Sequence, residues 1–201
     1  MNGNTPKFTC RLADGQEVKV KYGSDNGEGY AEVAATRLLW ALGFGADHMY
    51  PVRVRCHECP PDPHDPASGP PGLRTFDAAA IERKMPGHAF DGPGGEGWGW
   101  DELAHVRPRA GGASLAQRDA LTLLAAMLQH TDSKPEQQRL ICASQPGGPE
   151  TCTSPFLLIS DVGKTFGKAN LLNRDRPGSV NLKAWSESPV WLDGPGCRAR
   201  L

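Results

Sequence analysis

The sequence predicts a mixed α+β fold in two halves, strands first and a helix-based half after them. Three observations carry this. Two short runs, "FTCRL" at 8–12 and "EVKVKY" at 17–22, flank "ADGQ", the pattern of a hairpin closed at an Asp-Gly turn. An Ala- and Leu-rich segment at 29–42 reads as a helix. Downstream, a second helix at 115–129 runs into the polar loop "HTDSKPEQQ". Two apolar runs follow, "RLIC" and "FLLIS", and read as another hairpin.

Each element has a local reason. In 17–22, Val18 and Val20 point to one face and Lys19 and Lys21 to the other. Gly43 stops the first helix; its second half, "LLWAL", is apolar nearly all round, which predicts packing on more than one side. "YPVRVR" at 50–55 reads as a strand, and another is expected near 79–84, broken at Pro86-Gly87. The chain holds 24 Gly and 18 Pro; they concentrate at 60–72, 86–99 and 145–150, which read as loops. Ser114 and Gln117 form a capping-box pattern, and Leu121, Leu124, Ala125 and Leu128 mark the buried face of the helix they open. Trp98, Trp100, Trp185 and Trp191 are expected to anchor packing. The last hairpin ends in "DVG", 161–163.

Composition bounds the function. With 201 residues, a net charge of −1 and 38% hydrophobic residues, the chain suits one domain of ordinary size or one with two lobes. The near-neutral balance gives no basis for a nucleic-acid partner. No apolar run approaches the roughly 18 residues of a membrane span. The start, "MNGNTPKFTC", has no basic residue leading an apolar stretch, so no signal peptide is visible. The expected location is cytoplasmic by default, or exported if the N-terminus is truncated.

The polar loop, the Asp-Val-Gly and the first hairpin form an ordered set. His130, Asp132 and Lys134 lie in "HTDSKPEQ", which resembles the protein-kinase catalytic loop H-R-D-L-x-x-x-N. Asp161-Val162-Gly163 resembles the D-F-G element and follows a strand. "VKVK" at 18–21 resembles the V-A-I-K strand, and Glu32 in the next helix resembles the glutamate that pairs with its lysine. Singly, each has an ordinary reading: a solvated hairpin face, a first-turn glutamate, a polar loop, a turn. Their order on these elements carries the resemblance, which covers about residues 8 to 167. It is nearest to the atypical HipA-type and secretory-pathway kinase-like branches.

The resemblance implies a two-lobed kinase-like fold. Residues 1–87 would be an N-lobe-like β-rich half with one helix, and 88–201 a C-lobe-like half with the catalytic loop and Asp-Val-Gly. Only 38 residues follow Gly163 (201 − 163), which implies a reduced or truncated C-lobe. The implied function is ATP-dependent transfer to a hydroxyl of an unknown protein or small molecule, with Mg²⁺ or Mn²⁺. Lys21, or Lys19 on the same face, would hold phosphates, with Glu32 as partner. Backbone from Glu82 to Met85 would meet adenine, Asp132 would orient the acceptor, and Lys134 would counter phosphoryl charge. Asp161 would bind metal, with Gln137 standing where the family has Asn. No G-x-G-x-x-G precedes Lys21. The alternatives are a pseudokinase that binds nucleotide without transfer, and a metal- or disulfide-stapled interaction domain.

Six cysteines bear on the last alternative. Cys56-His57-Glu58-Cys59 supplies two or three of the four ligands a structural zinc needs. Cys142 and Cys152 bracket a hairpin loop and could bond to each other or complete a metal site. Cys10 and Cys197 complete the set.

Overall fold

The computed structural model describes residues 5–24, 26–91, 95, 97–142, 152, 154–167, 180–196 and 198–199. The Gly/Pro stretch at 145–150 and Cys197 lie outside the described residues. The fold is mixed α+β, with two four-stranded sheets and few helices.

The first hairpin forms as β1 (Lys7–Arg11) and β2 (Glu17–Tyr22). Its turn is closed by Gly15, at φ +85°, whose N–H donates to Leu12 O at 2.9 Å. Helix α1 (Gly27–Ala41) follows, and Gly43 at φ +82° ends it. Strands β4 (His48–Cys59) and β5 (Gly72–Arg83) then pair antiparallel over most of their length. Both are longer than the short strands expected at 50–55 and 79–84. The first sheet runs β1-β2-β5-β4. Pro51 is tolerated because β4 is an edge strand with no outer neighbour to bond among the described residues. Phe8, Val20, Tyr22 and Ala79 are buried on one face of this sheet, with Val52, Phe76 and Ile81 packed against them.

The second sheet runs β3-β8-β7-β6. It joins β3 (Gly45–Ala46), β6 (His88–Phe90), β7 (Gln138–Cys142) and β8 (Phe156–Ile159). β7 and β8 form the antiparallel hairpin expected from the sequence. The strand at 88–90 falls in a stretch read as loop; pairing with β7 forms it, and nothing local announces it. β3 lies parallel to β8. That approach requires glycine at 45, where a β-carbon would fall 2.4 Å from the Phe156 ring.

Helix α2 (Leu115–Met127) opens with the expected capping box: the Gln117 N–H donates to Ser114 Oγ at 3.3 Å and the Ser114 N–H to Gln117 Oε1 at 2.8 Å. Leu124 and Leu128 join Ala31, Ala35 and Leu39 of α1, and Ile159, Val162 and Phe166, in the main core. A short helix α3 (Leu182–Glu187) and a small hairpin, β9 (Trp191–Asp193) with β10 (Arg198–Ala199), complete the described chain. Among the described residues no helix is long and apolar enough to cross a membrane.

Three expectations are corrected. The apolar end of α1 is only partly covered: Leu39 is buried and Trp40 rests on His48 while its Nε1–H donates to Ala46 O at 3.0 Å, but Leu38 and Leu42 are exposed. Trp100 and Trp185 pack against the core, but Trp191 is exposed on the small hairpin. Cys56 and Cys59 are bonded to each other, so their sulfurs are not zinc ligands; Cys142 and Cys152 form a second disulfide, and Cys10 has no disulfide partner among the described residues.

Candidate functional site

Strand alternation turns Val20 and Tyr22 into the first sheet's apolar cluster and Lys21 to the opposite face, toward α1. Lys21 is only 2% exposed. Its ammonium donates to Glu32 Oε1, lies 3.1 Å from Glu28 Oε1 and lies 3.9 Å from Asp161 Oδ1. Glu28 and Glu32 stand four apart on α1, so they share a face. Asp161 is delivered by the end of β8, and the Gly163 N–H donates to its Oδ1 at 3.2 Å. Carboxylate oxygens of Glu28, Glu32 and Asp161 all lie within 4.8 Å of one another.

Glycine at 163 makes this possible. A β-carbon there would fall 2.2 Å from Glu28 Cγ. Glu28 is also tied by the Thr5 hydroxyl, which donates to its Oε2.

The electrostatics follow from three carboxylates around one buried cation. Burial opposes the charge of Lys21, but Glu32, Asp161 and Glu28 outweigh it and hold the ammonium above its ordinary pKa. Burial drives Glu32 well above the carboxylate range, and the Asp161 charge adds to this. Asp161 moves the other way: burial works against its ionisation, yet Lys21, the Glu32 carboxyl and the Gly163 amide keep it below the usual value. Glu32 Oε2 is buried without a hydrogen-bond partner of ordinary geometry among the described residues. Three carboxyl groups around one ammonium form a hard-oxygen cluster that fits a divalent cation.

The 130–137 loop is pinned beside Asp161. The Thr131 N–H donates to Lys164 O at 3.0 Å, Phe166 N–H to Leu128 O at 2.7 Å and Ser160 N–H to Gln137 O at 2.7 Å. Asp132 Oδ2 lies 3.0 Å from Lys164 Nζ, and its Oδ1 lies 3.7 Å from Lys134 Nζ. His130 is buried with neither ring nitrogen bonded among the described residues. Burial lowers its pKa, and the charges of both Asp132 and Asp161 oppose that, so His130 feels both carboxylates.

Lys19 does not share the carboxylate cluster. It pairs with Glu82 of β5 at 2.6 Å. The Met85 N–H is engaged by Asp47 Oδ1 at 2.7 Å. Gln137 is half-buried at the loop end; its neighbour Gln138 is fully buried, with no partner for its side-chain amide among the described residues. A cavity of about 560 Å³ lies between α1 and strands β4 and β5, reaching Lys21 past Gly29, Val33 and Ala79.

Sequence reasoning missed Glu28, Lys164, Asp47 and Arg139. Glu28 carried a signal, its four-residue spacing from Glu32. Lys164 directly follows the Asp-Val-Gly. Asp47 and Arg139 carry none, because their partners lie far along the chain.

No protein-family model and no curated protein matches this chain. Among solved structures it is similar to the Rio2 kinase–ADP/Mg²⁺–phosphoaspartate complex from Chaetomium thermophilum, at 12% identity and a TM-score of 0.42. The match covers 92% of this chain and 50% of that one, so the chain spans half the length of that structure. An overlap at that level does not assign a fold.

Proposed function

We propose that the chain is a kinase-like, ATP-dependent phosphotransferase acting on a hydroxyl acceptor. One observation carries the reading: the ammonium of Lys21 is gripped by Glu32 on a helix and neighboured by Asp161 at a strand end. The Asp132 loop is pinned alongside.

Phosphoryl transfer depends on charge neutralisation and alignment more than on covalent help. In this reading Lys21 holds the α/β phosphates and Glu32 keeps it in place. Asp161 and Glu28 hold Mg²⁺ or Mn²⁺, with Gln137 as a further candidate ligand. The bound cation supplies charge neutralisation for the phosphates. Asp132 orients the acceptor hydroxyl and takes its proton, flanked by the positive charges of Lys164 and Lys134. The base lies against the Glu82–Met85 backbone, where the Met85 N–H reaches it only if Asp47 yields.

ATP with Mg²⁺ should raise the melting temperature more than either alone; at 100 times Kd binding adds about 2.7 kcal/mol. Asp161→Asn should remove most of the metal-dependent part. Asp132→Asn should keep binding and abolish γ-phosphate transfer. No shift at millimolar ATP and Mg²⁺ overturns the reading.

A second reading, a nucleotide-binding module without transfer, draws on Gln137, whose side chain is one methylene longer than Asn, and on the engaged Met85 amide. Binding without detectable transfer to any hydroxyl acceptor would favour it.

A further inference from the structure

We propose that Asp47, Arg139 and Ser160 form a positioning chain that sets the Asp161 carboxylate relative to Met85, two residues past the end of β5. This rests on the reading of Asp161 as a metal ligand. Asp47 stands between β3 and β4 and is 1% exposed. Its Oδ1 accepts from the Met85 N–H at 2.7 Å and from Arg139 Nη2 at 2.7 Å. Arg139, on β7, donates through Nε to Ser160 Oγ at 3.1 Å. Ser160 directly precedes Asp161. One guanidinium therefore links the exit of the first sheet to the residue beside the carboxylate cluster.

The chemistry favours positioning over mere stability. A buried ion pair is weak support for a fold, since desolvation cancels much of its attraction. A guanidinium, however, is a rigid planar fork, so its Nε and Nη2 fix two partners at a set separation. Lysine's donors all sit on one nitrogen and cannot hold the two partners at the guanidinium's separation. Ser160 is held from its other side by its own N–H, bonded to Gln137 O in the Asp132 loop. Asp161 is thereby referenced to Met85 through Arg139 and to the acceptor loop through Gln137. Partners that orient metal ligands typically carry about 10–100-fold of metal affinity.

The test is Mn²⁺ binding to the intact chain, followed by electron paramagnetic resonance, with melting temperature as the fold control. Ser160→Ala leaves the Asp47–Arg139 pair untouched. It should weaken Mn²⁺ binding by about tenfold and move the melting temperature by less than about 2 °C. Ser160→Thr keeps the hydroxyl and should restore affinity. Arg139→Lys should keep the charge pair with Asp47 and lose Mn²⁺ affinity as Ser160→Ala does. If Ser160→Ala binds Mn²⁺ as the unmodified protein does, the positioning chain is wrong, whatever becomes of Arg139→Lys. If the unmodified protein binds no Mn²⁺, the metal-ligand reading of Asp161 falls first and the positioning chain with it.

Discussion

Lys21 Nζ lies 3.9 Å from Asp161 Oδ1, so the end of a strand in the first sheet meets the end of a strand in the second at one buried ammonium. Lys21→Met would leave Glu28, Glu32 and Asp161 facing each other without their cation. Removing one partner of a buried charge cluster costs about 3–5 kcal/mol. The loss should be smaller at pH 5 than at pH 8, because protonation relieves carboxylates left without a counter-charge. Thermal melts of both proteins at the two pH values check this.

Glu32 should make metal binding pH-dependent. Its pKa is raised, by burial first and by Asp161 next, so a cation held beside it by Asp161 and Glu28 must displace its proton. Mn²⁺ affinity should rise with pH up to that raised value and then level off. Without metal, the folded state binds this proton more tightly than the unfolded state does. The group's contribution to stability is therefore greatest below the ordinary glutamate value of about 4.3 and falls as pH rises from there to the raised one. Glu32→Gln should flatten both slopes in Mn²⁺ titrations and melts run between pH 4 and pH 8.

Gly163→Ala tests the contact with Glu28. The added methyl meets the Glu28 side chain, and overpacking of this kind costs about 1–3 kcal/mol. Glu28 should move while the Lys21–Glu32 bond survives, so Mn²⁺ binding should weaken more than stability does. A variant that binds Mn²⁺ normally would remove Glu28 from the ligand set.

Reduction of Cys142–Cys152 should loosen β7 and β8. The bond spans a sequence separation of 10, and closing a loop of that size stabilises by about 3 kcal/mol. Mass spectrometry with and without reductant counts the bonds, and Cys152→Ser should lower the melting temperature of the oxidised protein.

Much of the site was legible in local pattern. Alternation in 17–22 placed Lys21 opposite Val20, and the helix carrying Glu32 was readable from its apolar spacing. The apolar run ending at Ser160 marked Asp161 as the residue leaving a strand. Alternation left Lys19 and Lys21 equivalent; they separated only when β5 brought Glu82 to Lys19 and α1 brought Glu32 to Lys21. The strand at 88–90 was hidden because three residues carry no periodicity of their own.

The sequence by itself determined the α+β class, the two hairpins, both long helices and the order in which lysine, glutamate and two aspartates occur, because period, caps and turn residues act over a few positions. Tertiary structure alone decided that Glu28 joins the cluster, that Lys164 faces Asp132, and that Asp47 occupies the Met85 amide and reaches Arg139. Most of these contacts join segments distant in the chain. Buried charge has no periodicity to read; it is tolerated only where folding brings a compensating group within a few ångströms.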